Sequence, residues 1–175
     1  TAIRYVEFPL DGIDLAIRMA GPERRRPDWI HLVTEALVPV CAPGLLPADA
    51  EGWPAALHRL PLIHVTRATE DWDVWLGRQA LEAPRVEGAL FVDTIHLAID
   101  AAVRGLGLAL GRRPLVDDDI AAGRLVVAGP ETAGTTAYWL VGAGAAFERP
   151  EVAQFRKWLL AEIAATPAAV SFDGG

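Results

Sequence analysis

The residues able to do chemistry in this chain are few, and their spacing argues for binding over catalysis. The 4 histidines, His31, His58, His64 and His96, are dispersed, and neither a CxxC pair nor an HExxH helix is present to hold a metal. The nucleophile elbow G-x-S-x-G and the phosphate loop G-x-x-x-x-G-K-[ST] are both missing. Gly105, Gly107 and Gly111 make a glycine-dense run, but it follows a helical pattern instead of opening one, so it is not a dinucleotide fingerprint. Cys41 acts as a nucleophile only beside a positioned histidine, which spacing does not reveal; its other reading is a buried, inert thiol. No cofactor is implied, and no enzymatic activity is expected.

Polar residues at the ends of apolar runs are better candidates. Arg18 closes the run IDLAIR, where a guanidinium suits a carboxylate ligand bidentately and equally suits an ion pair with Asp14. His64 stands in LPLIHV just ahead of Thr66, Arg67 and Thr69, as a ligand contact or as a structural histidine satisfied inside an apolar strand. Asp93 and Thr94 are helix caps, and a second task at a ligand is the functional hypothesis for them. Trp139 in AYWLV either walls a cleft or packs as an ordinary core tryptophan; Trp72, Trp75 and Trp158 are assigned to the core. Arg24, Arg25 and Arg26 form the densest positive cluster, read as a solvated loop ahead of a binding patch.

These candidates need elements to position them, and residues 89–110 supply the clearest set. Ala89–Val92 is a short apolar run, Asp93 and Thr94 open a helix, and Ile95, Ala98, Ile99, Ala102, Val103 and Leu106 recur at helical spacing. Gly105 ends the helix and Leu106–Leu110 reads as a buried strand, completing a βαβ unit. Parallel α/β sheets bind ligands beyond the carboxyl ends of their strands, which is where Asp93 and Thr94 fall. Strands are also expected over Ile13–Arg18, Trp29–Thr34, Leu60–Val65, Arg124–Ala128 and Ala137–Val141. Ala36–Cys41 carries Pro39, which points to an edge strand or an extended crossover. Helices are expected near Ala48–Trp53, over Glu70–Gln79, from Asp117 to a stop at Gly123, and over Glu148–Ala165, with an incomplete amphipathic face at Thr1–Leu10. Strands alternating with helices give an α/β class with largely parallel sheets. Leu37–Val40 and Ala137–Val141 are extended segments where the chain can pass between two lobes, and clefts between lobes favour small molecules.

Composition narrows the class. The chain has 175 residues, 52% of them hydrophobic, with a formal net charge of −7, enough for one substantial core or two small lobes. The acidic balance argues against this chain gripping nucleic acid itself, since phosphates demand clustered Lys and Arg. A single cysteine excludes an internal disulfide and suits a reducing compartment. There is no signal peptide and no run of ~18 apolar residues, so a soluble cytoplasmic protein without a membrane partner is expected.

Taken in order, GIDLAIRMAG (residues 12–21), VPVCAPGLL (38–46), PLIH and EDWDVWL (61–76), DTIHLAIDAAVRGLGLALGRRPLVDDDIAAGRLV (93–126), AYWLVG and PEVAQFRKWLLAE form a series. The series resembles the C-terminal effector-binding domain of LysR-type transcriptional regulators, nearest to the glycine-cleavage-activator subgroup. The resemblance implies a two-subdomain, type 2 periplasmic-binding-protein-like fold. Residues 1–37 and 142–175 would form subdomain I and 41–137 an inserted subdomain II, with crossovers near 37–40 and 138–141. It implies a small effector, such as an amino acid or an aromatic or other organic acid, between the subdomains. By similarity the effector site falls at Arg18, Met19 and Ala20, at the strand containing His64, and at the Asp93–Thr94 helix start. Promoter DNA would be reached only through an N-terminal helix-turn-helix outside this sequence, in a homodimer or homotetramer. The family's domain normally opens with a further strand and helix, so subdomain I is expected to be incomplete at its N-terminus.

Two other readings compete. A solute-binding protein of a transport system would be a monomer with an export leader. An enzyme on a related two-lobed fold would need convergent acid–base residues, which the dispersed histidines do not supply.

Overall fold

The computed structural model describes residues 13–21, 24–46, 52–66, 68, 72–82, 84 and 88–165. The expected amphipathic face at Thr1–Leu10, together with Arg67, Thr69 and the tail 166–175, lies outside the described residues. The chain divides into two compact units, residues 1–35 with 135–175 and residues 36–134.

The first unit is built on strand β1 (Leu15–Ala20), the start of β2 (Ile30–Cys41) and most of β7 (Thr132–Gly142), in the order β1-β7-β2. β1 pairs antiparallel with β7 from Leu15↔Gly142 to Ala20↔Ala137. Alternate residues of a strand face opposite sides, so Ala16, Arg18 and Ala20 share a face with Ala137, Trp139 and Val141. A small core forms there from Ala20, Ala137, Trp139 and Val141, with Ala16 and Trp29 packed against it. Helix α5 (Pro150–Ala165) closes the unit, its Pro150 in the first turn where a missing N–H costs nothing. Its apolar stripe departs from expectation: Val152 is buried, but Trp158 is 54% and Phe155 43% exposed. The two rings pack on each other at 5.6 Å. Helical spacing marks an apolar face; it does not supply the surface that covers it.

The second unit is a sheet with helices on both faces. The remainder of β2, then β5 (Leu108–Arg113), β3 (Leu62–Val65) and β4 (Leu90–Val92) lie in that order, and the two-residue β6 (Val126–Val127) pairs with β2. β3 pairs in parallel with β4 and with β5, whereas β2 runs antiparallel to β5 and β6. The sheet is therefore mixed, not largely parallel, because β2 enters from the other unit without a helical crossover. Period-two alternation splits the core in two. Leu37, Leu62 and Leu108 face α1 (Gly52–Arg59) and α2 (Trp72–Arg78), whose Leu57, Trp72 and Trp75 are buried with them. Val38, Ile63 and Ala109 face α3 (Ile95–Val103) through Ala98, Ile99 and Ala102. A short α4 (Asp117–Ala121) completes the unit. Each buried tryptophan removes roughly 150–250 Å² from water, about 4–6 kcal/mol gross at the usual area coefficient. The indole N–H of Trp72 donates to the Ile63 carbonyl at 3.0 Å and that of Trp75 to the Pro130 carbonyl at 3.2 Å, so neither burial strands a donor.

Several boundaries move. α1 begins at Gly52 and runs through Pro54, which sits in its first turn, instead of stopping at Trp53. β5 starts at Leu108, leaving Leu106 53% exposed. β2 is one 12-residue strand, continuous through Glu35 and Pro39. Pro39 is interior, not at an edge. Its carbonyl accepts from the Ala128 N–H at 2.8 Å on the β6 side, the side to which its absent N–H would also point, so the β5 ladder loses nothing. Its ring has room there because residue 129 is glycine: a Cβ at that position would stand 2.9 Å from the ring.

Candidate functional site

In the second unit, the carboxyl ends of β3 and β4 converge on the start of α3. His64 lies opposite Phe91 and Val65 opposite Val92, so both strands end together at Thr66 and Asp93. The Thr66 N–H donates to the Val92 carbonyl at 3.0 Å, and its hydroxyl lies 3.4 Å from Asp93 Oδ1. Thr94, with extended backbone (φ −136, ψ 152), is the N-cap, and its Oγ1 accepts from the Leu97 N–H at 3.3 Å. Sequence reasoning offered both Asp93 and Thr94 as caps; the structure gives the cap to Thr94 and turns Asp93 to Thr66. The N–H groups of Ile95 and His96 have no intrahelical acceptor by helix geometry, and the helix dipole makes this end favourable for an anionic group. His64 stacks on Phe91, ring centroids 5.0 Å apart and planes 16° from parallel, and Phe91 is 65% exposed. The imidazole is thus on a partly open aromatic surface beside the strand ends, not sealed in the core.

In the first unit, Arg18, Met19 and Ala20 sit opposite Trp139, Tyr138 and Ala137. Arg18 is half-buried, while Met19 on the other face is 43% exposed. Asp14, the alternative partner for Arg18, pairs with Arg149 at 2.7 Å. Trp139 is only 7% exposed. Its indole N–H donates to the Ala20 carbonyl at 3.1 Å, His31 meets it edge-on at 5.1 Å, Trp29 packs at 6.4 Å, and the Arg25 guanidinium lies 5.5 Å above its ring. Trp139 thus packs in the small core of this unit and ties the end of β1 through the Ala20 carbonyl. Arg25 likewise belongs to an aromatic contact and not wholly to a solvated loop. Burial and the Arg25 charge together hold His31 below its ordinary pKa.

Cys41 is a core residue, fully buried, and burial alone pushes its thiol up to about 11, which disfavours the thiolate. Among the described residues no cluster of three His, Cys, Asp or Glu side chains is arranged to hold a metal ion. Sequence reasoning missed Glu35, which is 1% exposed and accepts hydrogen bonds from the hydroxyls of Thr136 and, at 3.5 Å, Tyr138. The signal was a lone carboxylate between two apolar stretches, read as a break between strands when it lies inside one.

The comparisons with known proteins agree in kind. The family model described as LysR substrate binding domain matches residues 4–164. The chain is 32% identical over 140 residues to the HTH-type transcriptional regulator TrpI of Pseudomonas aeruginosa, covering 77% of this chain and 46% of that protein. It is 31% identical over 164 residues to the HTH-type transcriptional regulator PerR of Escherichia coli K12, covering 91% and 54%. It is 30% identical over 136 residues to the glycine cleavage system transcriptional activator of the same strain, covering 77% and 44%. The chain thus spans about half the length of the curated relatives it matches. Among solved structures, the effector domain of the transcriptional regulator AmpR of Pseudomonas aeruginosa aligns with a TM-score of 0.69 at 26% identity, covering 91% of this chain and 76% of that one. The AmpR effector binding domain from Citrobacter freundii aligns at 0.68 and 22% identity, over 93% and 80%, which speaks to the fold. The mixed α/β architecture is the periplasmic-binding-protein-like fold of these effector domains. Among the described residues no helix is long and apolar enough to cross a membrane. The chain belongs to the LysR substrate binding domain family.

Proposed function

We propose that this chain is the effector-sensing part of a non-catalytic bacterial transcription factor. The observation that carries the reading is the family match over residues 4–164, joined to relatives that are transcriptional regulators and not transporters. The parent protein reaches promoter DNA through a helix-turn-helix module N-terminal to this sequence, works in the cytoplasm, and assembles as a homodimer or homotetramer. The two units correspond to the two subdomains of the family. The proposed effector contacts are His64, Asp93 and Thr94 in the second unit and Arg18, Met19, Ala20 and Trp139 in the first, where Trp139 also holds β1 in place. A helix start and a guanidinium both favour an anionic group, which supports an amino acid or an aromatic or other organic acid as effector. An effector bound more tightly in one arrangement of the protein shifts its population toward that arrangement, and no covalent step is needed.

A thermal-shift screen of this chain against amino acids and aromatic acids tests the reading. A ligand at 100 times its Kd adds about 2.7 kcal/mol, or about 5–10 °C in Tm for a chain of this size. Arg18→Ala and Thr94→Ala should lose most of that shift, whereas Thr94→Ser, which keeps the cap oxygen, should retain it. A panel in which no acid moves Tm, or variants that all keep the parent's shift, defeats these assignments. A parent gene encoding a secretion leader where the helix-turn-helix should be defeats the regulator.

A further inference from the structure

Two hydrogen-bonded turns fold the loop that follows β1. The Arg24 N–H donates to the Gly21 carbonyl at 3.1 Å, and the Trp29 N–H to the Arg26 carbonyl at 3.1 Å. Arg25 stands between them, an exposed residue whose guanidinium is laid over the Trp139 ring, 5.5 Å from its centroid. We propose that Arg25, carried on Trp139, is a binding site in the first unit for the carboxylate of a small organic acid.

A guanidinium drawn to an aromatic face by its charge keeps its N–H donors in its own plane, where their fork matches a carboxylate bidentately. Arg113 spends its fork on Asp117 and Glu131, Arg124 on Asp119, and Arg149 on Asp14 and Glu151. Among the described residues no carboxylate pairs with Arg25. The groups around it add to the sign and the shape of the site. Arg18 lies directly across from Trp139 on the same face of the sheet. His31 meets the indole edge-on at 5.1 Å, with its Nε2 3.0 Å from the Thr34 hydroxyl, and half-buried Trp29 packs at 6.4 Å. Burial and then the Arg25 charge hold His31 below its ordinary 6.5, so the imidazole is neutral near pH 7. An anion on Arg25 offsets that charge, so a bound carboxylate and a protonated His31 favour each other. The carboxylate site stands on this geometry; its service to the effector rests on the reading above, which places Ala20 and Trp139 among the effector contacts.

The test uses this chain with isotope-labelled imidazole rings, titrated by NMR with and without benzoate. The His31 resonance is identified by its loss in His31→Asn. Benzoate should bind the parent and raise the His31 midpoint toward 6.5. Arg25→Gln should weaken benzoate about 10- to 100-fold, as expected for a lost charge-assisted pair of hydrogen bonds. Its His31 midpoint should be the same with and without the acid. Arg25→Lys keeps the charge but not the fork, so it should keep the parent's midpoint in the absence of benzoate and still bind the acid several-fold more weakly. Equal binding by the parent and Arg25→Gln, binding that leaves His31 unmoved, or a parent that does not bind benzoate overturns the site. An acid that raises Tm equally in the parent and Arg25→Gln defeats this site and leaves the effector reading standing. A chain that passes here but belongs to a gene encoding a secretion leader keeps the site and loses the regulator.

Discussion

Replacing Gly107 by alanine is the sharpest test of how the second unit seats its strands. Gly107 has φ +153, and a Cβ built there would stand 2.2 Å from the Pro61 carbonyl oxygen and 3.1 Å from its carbon. Those are backbone atoms and cannot rotate away. The next residue's N–H, that of Leu108, donates to this same carbonyl at 2.9 Å, and β3 and β5 then pair in parallel from Leu62↔Leu108. Relieving the clash means pulling β5 from β3 at the first rung of the ladder. Disfavoured backbone costs about 1–3 kcal/mol and overpacking a similar amount, so about 2–6 kcal/mol in all. Against a typical total of about 5–15 kcal/mol this is a large fraction, and it corresponds to a fall in Tm of about 4–24 °C. Gly77→Ala is the control: it lies inside α2 with no atom within 4 Å of its added Cβ, and should raise stability by about 0.5–1 kcal/mol. Calorimetry of the three proteins decides the matter. A Gly107→Ala shift smaller than about 2 °C refutes the reasoning, because the carbonyl would then have had somewhere to go.

Other expectations follow from the same structure. Cys41 should resist a thiol reagent at pH 8, where a thiol with pKa about 11 is about 0.1% ionised, and should react stoichiometrically in denaturant; reaction in the native state would mean the core opens readily. The His31 ring should titrate below its ordinary 6.5 in an NMR pH series, and Arg25→Gln should raise its midpoint by removing a neighbouring positive charge. Because folding disfavours protonated His31, its contribution to stability is present above the unfolded value and is lost as pH falls through the lowered folded one; a midpoint at or above 6.5 contradicts the Arg25–Trp139–His31 geometry. Thr94→Ala should cost about 1 kcal/mol in urea denaturation through the lost cap, and Thr94→Ser a few tenths at most; equal losses would mean that the hydroxyl does not cap α3.

What the sequence revealed depended on how local the determining physics is. The start of α3 was legible because capping, helical periodicity and a glycine stop all act within a few residues. Trp72 and Trp75 were correctly placed in the core because they recur on one face of a helix beside apolar strands. The continuity of β2 was not legible: the charge at Glu35 read as a break and the proline at position 39 as an edge strand or crossover, and each is accommodated by residues about 90–100 positions away, Thr136 and Gly129. Trp158 failed for the converse reason, since an apolar stripe says nothing about whether a covering surface exists among the described residues. Of the candidate site, the Asp93–Thr94 corner came from spacing, whereas no local pattern connects Trp139 to the Ala20 carbonyl and the His31 ring against which it packs.

The route of the chain also bears on how the protein is made. The first unit takes its strands from both ends of the sequence, so β1 and the start of β2 leave the ribosome long before β7 can join them. Residues 36–134, in contrast, emerge as one uninterrupted stretch carrying β3, β4 and β5. Once that stretch folds, the carbonyl of Pro39 and the N–H of Ala128 are bonded, and Glu35 and Thr136 are brought near each other without further search. Closing a loop of about 100 residues costs roughly 4 kcal/mol of chain entropy, and the folded stretch has already met most of that cost before β7 docks. A chain with a single cysteine has no internal disulfide to hold distant segments together, and the uninterrupted folding of residues 36–134 serves that end for the strands that flank it.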